Sequence, residues 1–151
     1  MSGIFEKQFE VGWRNVDPNG HLANTDYLSF AVDTRIAYFA SRGFPPIDFQ
    51  KYSFGPVIKT ETIDYFRELM LLEKVKVTME NGGLAKDGSR FRVVNNFYKM
   101  DGTRAARVAS IGGWLSFKER KLIVPPEIIF NALDSLTKTE DFEELKSSIK
   151  K

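Results

Sequence analysis

Asp17 and His21 stand four residues apart in the segment Arg14-Asn15-Val16-Asp17-Pro18-Asn19-Gly20-His21, and His21 is the chain's one histidine. A carboxylate there can activate water as a general base or attack an electrophilic carbon itself. The plain reading of the same residues is a turn, because Asp at its first position and Pro at its second suit a type I turn. A lone histidine in a loop is commonly a hydrogen-bonded structural group, and it can equally orient a carboxylate or a substrate. Just downstream the pattern turns helical. The first amides of a helix lack intrahelical acceptors and carry the positive end of its dipole, so they can stabilise a developing oxyanion or simply take an N-cap.

Composition closes off other chemistries. There is no cysteine, which removes disulfides, thiolate nucleophiles and Cys-based zinc sites. A single histidine argues against an all-protein transition-metal site. The balance of 22 basic against 20 acidic residues, net +2 with a pI near 8.8, is too mild and too evenly spread to require nucleic acid. A local basic site for a phosphorylated ligand is compatible with it. No apolar run approaches the roughly 20 residues that cross a bilayer. The opening MSGIFEKQFEVGW has charges where a signal peptide needs an apolar stretch. No membrane association and a cytoplasmic location are therefore expected.

The 151 residues, 42% hydrophobic and 28% charged, are expected to form one domain, 1–151. Phe5, Phe9, Val11 and Trp13 share one parity and read as a first strand. A helix is predicted over 24–42, with Asn24 or Thr25 as N-cap, Asp26 in the first turn, and Gly43, Pro45 and Pro46 as the stop. Apolar residues cover most of its circumference, so other structure should wrap it. Strands follow over 57–66, 74–80, 89–99 and 104–117. In the second of these Val75, Val77 and Met79 share one face, and Asp101-Gly102 turns the third into the fourth. Pro125-Pro126-Glu127 opens a short helix to about Leu136. A last amphipathic helix is expected after Thr137, where Thr137 and Glu140 have capping-box spacing, giving a helical C-terminal extension of about 126–151. Short turns between the later strands predict an antiparallel sheet, so the fold class is α+β.

Four blocks of sequence then resemble one family. Val16-Asp17-Pro18-Asn19-Gly20-His21-Leu22-Ala23-Asn24, followed by Tyr27-Leu28 and Asp33-Thr34-Arg35, is similar to the segment that hydroxybenzoyl-CoA thioesterase-like proteins of the hot-dog superfamily write as Asp-x-x-Gly-His-Val-Asn-Asn, then Tyr-Leu, then an acidic residue two before an arginine. Ile63-Asp64-Tyr65-Phe66-Arg67 resembles that family's apolar-Asp-Tyr-apolar-Arg strand. Asp101-Gly102-Thr103 through Trp114 resembles its closing hairpin, and 122–127 its Pro-Glu exit. The likeness spans nearly the whole chain in order and weakens after about Leu136. Ala23 departs from a common asparagine, Asp33 from the usual glutamate, and Glu68 from a frequent proline.

The resemblance implies a hot-dog fold, an antiparallel sheet wrapped around a long central helix with C-terminal helices. It implies hydrolysis of acyl-CoA thioesters to free acid and coenzyme A, with Asp17 as base or nucleophile. His21 would orient Asp17 or the substrate, and a backbone amide at the helix start, Ala23 or Asn24, would be the oxyanion donor. Lys86, Arg90 and Arg92, flanking Gly82-Gly83 and Gly88, are the implied rim for the coenzyme A phosphates. Arg67 and Lys59 are further candidates, and solvated strand-face charge is the alternative for each. The Gly82 to Gly88 stretch lacks the lysine spacing and the following helix of a P-loop. Val57, with Phe54, Phe39 and Tyr38, is a candidate lining for the acyl group. No cofactor is implied beyond the coenzyme A of the substrate. A homodimer or homotetramer is implied, with acyl pockets at the subunit interface. Two other functions are compatible with such a fold. One is acyl-thioester hydration or dehydration, whose different Asp-to-His spacing is not found here. The other is a non-catalytic acyl-CoA binding or sensor protein, which would have no need of Asp17. The acyl group stays open, as does the choice between coenzyme A and acyl carrier protein.

Overall fold

The computed structural model describes residues 3–149. Five strands form the body of one sheet: β1 (Phe5–Glu10), β2 (Phe54–Tyr65), β3 (Lys74–Ala85), β4 (Arg90–Lys99) and β5 (Arg104–Ser116). Their order is β1-β3-β4-β5-β2, and every neighbouring pair among them is antiparallel. The strand β6 (Leu122–Ile123) extends the sheet by pairing with β5 beyond the end of β4. The alternation read from 74–80 holds, since Val75, Val77 and Met79 are fully buried.

Helix α1 (Asn24–Ser41) lies across the concave face of this sheet and divides the core in two. Its first half sets Tyr27, Phe30 and Ala31 against Val75, Val77, Phe97 and Val108. Its second half sets Tyr38 and Phe39 against Met79, Phe91 and Trp114, together with α3 (Glu127–Asp134). Between the halves runs a buried polar tie. Arg35 donates from Nε to Asn95 Oδ1 (3.1 Å) and from Nη2 to Ser110 Oγ (2.6 Å), with Glu61 at 3.6 Å. Burying a charge is tolerable only with such partners.

The helix is not wrapped all round, as its apolar circumference suggested. Val32 and Ile36 are each 42% exposed, and Ile58 on the facing strand is 41% exposed. The sheet curls over one side of α1 and stops at β2, whose outer edge pairs with no strand among the described residues. A short helix, α2 (Pro46–Lys51), closes the far end of this flank.

Two other expectations are corrected. The segment after Thr137 is a strand, β7 (Lys138–Leu145), so a single helix, α3, stands in the expected helical C-terminal extension. Strand β1 covers β3 only from Lys74 to Met79, and β7 takes the rest of that edge in parallel, from Asn81 to Ala85. An open ladder of amides and carbonyls outweighs a capping signal. Gly82 and Gly83 likewise belong to β3, which runs on past the strand expected over 74–80. They sit at a register shift against both neighbours, and a Cβ on Gly82 would come within 2.8 Å of Val94 Cγ2. The turn itself is at Gly88, whose φ of +78° suits glycine.

Candidate active site

The Asp17 loop is built from backbone bonds. The Asp17 carboxylate accepts on Oδ1 from the amides of Asn19 (2.8 Å) and His21 (3.1 Å), while the Asp17 amide donates to His21 O (2.9 Å). The segment after β2 fastens the loop from outside. Leu22 N–H donates to Leu69 O (2.7 Å) and Leu71 N–H to Gly20 O (3.1 Å). Fully buried Leu69 anchors that segment in the core. Among the described residues Asp17 Oδ2 accepts no hydrogen bond, so one carboxylate oxygen is fixed and the other is left for a ligand.

The start of α1 has no side-chain cap, and Ala23, not Asn24 or Thr25, occupies the N-cap position. The Ala23 amide already donates to Asn15 O at 2.8 Å. Asn15 is held in turn by its side-chain bond to Asp26 (3.2 Å). The Asn24 amide donates to no acceptor among the described residues. Of the two amides named from the sequence, that of Ala23 is thus taken and that of Asn24 is without a partner among the described residues.

Asp17, His21, Asn24 and Arg67 line one cleft of about 400 Å³, open to solvent, together with Leu22, Tyr27, Tyr65, Phe66 and Glu68. The tie from His21 to Asp17 is through the His21 amide, and the imidazole makes no hydrogen bond among the described residues. Arg67, at the mouth, donates to Phe66 O (2.8 Å). Tyr27, only 3% exposed and packed in the core, is also part of this wall, with Tyr65 edge-on at 5.2 Å. Burial, assisted by Tyr65 and the carboxylates of Glu68, Glu73 and Asp17, raises its phenol to about 12. It is a neutral hydrogen-bond donor at every working pH.

The remaining candidates lie at the other end of the sheet. Val57 and Lys59 are on β2, with Lys59 at a bulge between Ile58 and Thr60. Lys86 stands 3.9 Å from Glu144, and Arg90 Nε donates to Ser148 Oγ (3.3 Å). Arg92 donates to Gly82 O and to Asp141 Oδ2, both at 3.1 Å. All three cations of the expected phosphate rim are thus engaged by β3, β7 or the residues after β7. The C-terminal segment that engages them was read as a helix, so no sequence signal pointed to these pairs.

A second cavity, of about 260 Å³, opens on the exposed flank of α1. Its walls are Val32, Arg35, Ile36 and Phe39 of α1, Phe49 of α2, Pro56 and Ile58 of β2, and the core residues Met79, Phe91, Val93, Trp114 and Leu133. Phe39 had been expected to line an acyl site, whereas Val57, Phe54 and Tyr38 lie outside this wall. Strand β2 joins the two hollows, with Pro56 and Ile58 at the cavity and Tyr65 at the Asp17 cleft. Among the described residues no group of acidic or histidine side chains is placed to hold a metal ion, and no helix is long and apolar enough to cross a membrane.

Residues 11–133 match a family model described as the thioesterase-like superfamily. No curated protein sequence matches the chain. Among solved structures, the hypothetical protein SAV2348 from Staphylococcus aureus, in complex with CoA, superposes with a TM-score of 0.79 at 20% identity, covering 87% of this chain and 82% of that one. Slr0204, a 1,4-dihydroxy-2-naphthoyl-CoA thioesterase from Synechocystis, gives 0.78 at 16% identity, over 87% and 96%. BH1999, a gentisyl-coenzyme A thioesterase, gives 0.76 at 18% identity, over 85% and 98%. Likeness at such identities establishes the fold, which is the hot-dog fold that the sequence motifs implied.

Proposed function

The chain belongs to the thioesterase-like superfamily, and on that premise we propose that it hydrolyses acyl-CoA thioesters to the free acid and coenzyme A, with Asp17 as the catalytic carboxylate. One observation carries this reading: Asp17 keeps one carboxylate oxygen unengaged in the same cleft as the uncapped amide of Asn24. A carboxylate serving only a turn has no need of a neighbouring free amide. A thioester needs both, a base or nucleophile at its carbonyl carbon and a donor at its carbonyl oxygen.

Asp17 Oδ2 either takes the proton of a water that attacks the carbonyl carbon, or attacks that carbon itself. The C=O electron pair moves onto oxygen, where the Asn24 amide stabilises it, an effect worth about 3 kcal/mol for one well-placed donor. Collapse expels the coenzyme A sulfur. On the first route it leaves with the proton held by Asp17. On the second it leaves behind an acyl-Asp17 anhydride that water hydrolyses. Tyr27, fixed as a donor, orders water or substrate beside the carboxylate.

The unpaired edge of β2 supports a homodimer in which two β2 strands pair antiparallel. In that arrangement the Pro56 end of one strand faces the Tyr65 end of the other, and the α1-flank cavity of each protomer lies beside its partner's Asp17. The exposed Val32, Ile36 and Ile58 at the cavity mouth would then be covered. The neighbour SAV2348 is described with CoA bound, and coenzyme A is the thiol carrier proposed here. Lys59, beside the join, is available to its phosphates.

The test is thiol release from a panel of aliphatic and aromatic acyl-CoAs by the wild-type protein and by Asp17→Asn. Release by the wild type that falls by at least about a hundredfold in a folded Asp17→Asn is expected. No release from any member would overturn the hydrolytic reading.

A further inference from the structure

The α1-flank cavity holds one polar feature. Its wall is hydrocarbon and aromatic except for Arg35, a residue only 9% exposed. The Trp114 indole N–H, the other polar group on the wall, is occupied by Gly88 O (3.1 Å). Arg35 spends Nε on Asn95 and Nη2 on Ser110 and Glu61. Its Nη1 has no partner among the described residues. Among the described residues no buried side-chain nitrogen or oxygen is left wholly unsatisfied, so Nη1 keeps exposed surface, and Arg35 lines the cavity.

We propose that Arg35 determines substrate specificity, Nη1 donating a hydrogen bond to a neutral oxygen on an otherwise apolar acyl group seated in this cavity. The inference rests on the thioesterase reading above and deepens it by naming the acyl class. Size limits the group. A cavity of about 260 Å³ lies near the lower end of ligand pockets, about 300–1,000 Å³, which suits one ring or a medium chain and excludes a long unbranched chain lying wholly inside. Charge limits it further. Glu61 already balances the guanidinium at 3.6 Å, and its Oε2 accepts from Ser110 (2.8 Å). A carboxylate on the acyl group would therefore enter as a second, unbalanced buried anion beside Glu61, at high desolvation cost. A hydroxyl or keto oxygen adds an acceptor without a charge and suits a cation whose remaining donor faces a hydrocarbon wall. Burial lowers the guanidinium pKa and Glu61 opposes that, in keeping with a pair that acts as a neutral dipolar wall.

The experiment compares matched acyl-CoAs that differ only by an oxygen, benzoyl with hydroxybenzoyl and octanoyl with hydroxyoctanoyl. Both kcat/KM and, with Asp17→Asn, binding by calorimetry are measured. The wild type should favour at least one oxygen-bearing member by about tenfold, the worth of one good hydrogen bond. Arg35→Met alone would strand Glu61 and risk unfolding, so the variant is Arg35→Met/Glu61→Leu, which removes both charges. It should lose the preference, using the two members of each pair alike whatever its overall rate. Equal use of both members by the wild type, or a preference that persists in the double variant, would overturn the proposal while leaving hydrolysis intact. Binding preference that depends on Arg35 with no thiol released would do the reverse, removing the hydrolytic reading and keeping the Arg35 contact. Neither release nor selective binding would remove both.

Discussion

Asp17 is positioned by main-chain amides, and that has measurable consequences. An asparagine at 17 keeps an Oδ1 that accepts from the Asn19 and His21 amides. Asp17→Asn should therefore unfold at nearly the wild-type temperature while losing activity. Asp17→Ala leaves both amides without their acceptor and should be less stable by about 1–2 kcal/mol in urea melts, two ordinary hydrogen bonds part-replaced by water. Equal stability of the two variants would show that the loop does not depend on that carboxylate. His21 contributes its backbone, so His21→Ala should keep kcat/KM within about tenfold, against a loss of a hundredfold or more for Asp17→Asn. A drop as deep as that of Asp17→Asn would assign the imidazole a chemical role. The motif drew attention to Asp17, His21 and Asn24, which the fold brings to one cleft. Which of the Ala23 and Asn24 amides is left without an acceptor was not legible, because it turns on whether Asn15 O takes one of them, a contact between backbones. Tyr27 packs in the core, and its second place in the cleft wall was not legible because Tyr65 arrives from a distant strand to make the other side.

At the scale of elements, local signals that agreed with their surroundings were readable and those overridden by pairing were not. The alternation of β3, the Asp101-Gly102 turn and the Gly-Pro-Pro stop of α1 all stand where the sequence put them. β7 does not, since Thr137 and Glu140 could cap a helix, but β3 offered an unpaired edge from Asn81 to Ala85 and Phe142 a contact with the core. Between Lys138 and Glu143 the strand bulges, and Asp141 uses that bulge to reach Arg92 (3.1 Å) and Arg107 (3.1 Å). The hydrogen bond from Arg92, then that from Thr139, hold its carboxyl far below the ordinary 3.8. A carboxyl whose pKa is depressed in the folded state stabilises fully above its unfolded value, and the contribution is lost as pH falls below it. Protection of the β7 amides against hydrogen exchange, corrected for intrinsic rate, should therefore be constant from pH 7 to about 5 and weaken as pH falls below about 4. Asp141→Asn should show weakened protection already at pH 7 and little further change on acidification. Protection in the wild type that ignores pH would mean that backbone pairing alone holds β7.

The whole molecule poses a question of reach. The Asp17 cleft abuts the first turn of α1, whereas the cavity is lined from Val32 to Phe39. At 1.5 Å rise per residue Arg35 stands roughly 12–17 Å along the helix from Tyr27 and Asn24 of the cleft. Within one protomer a compact acyl group attached to a thioester at Asp17 would fall short of Arg35. Across an antiparallel β2 join the two hollows of different protomers become neighbours, so the distance that argues against a monomeric site argues for a shared one. The prediction is complementation. Asp17→Asn disables the carboxylate, and Ile36→Trp fills the mouth of the cavity from a position 42% exposed in the protomer, so the protomer's own core is not overpacked. Each variant alone should be inactive toward a compact acyl-CoA, and light scattering should find each a dimer. Unfolded and refolded together in equal amounts, half of the dimers are mixed. Each mixed dimer joins one intact Asp17 to one intact cavity, so activity should return to roughly a quarter of wild type. A mixture as inactive as its components would place both halves of the site within one chain, and the cavity would then have to be reached along β2 of the same protomer.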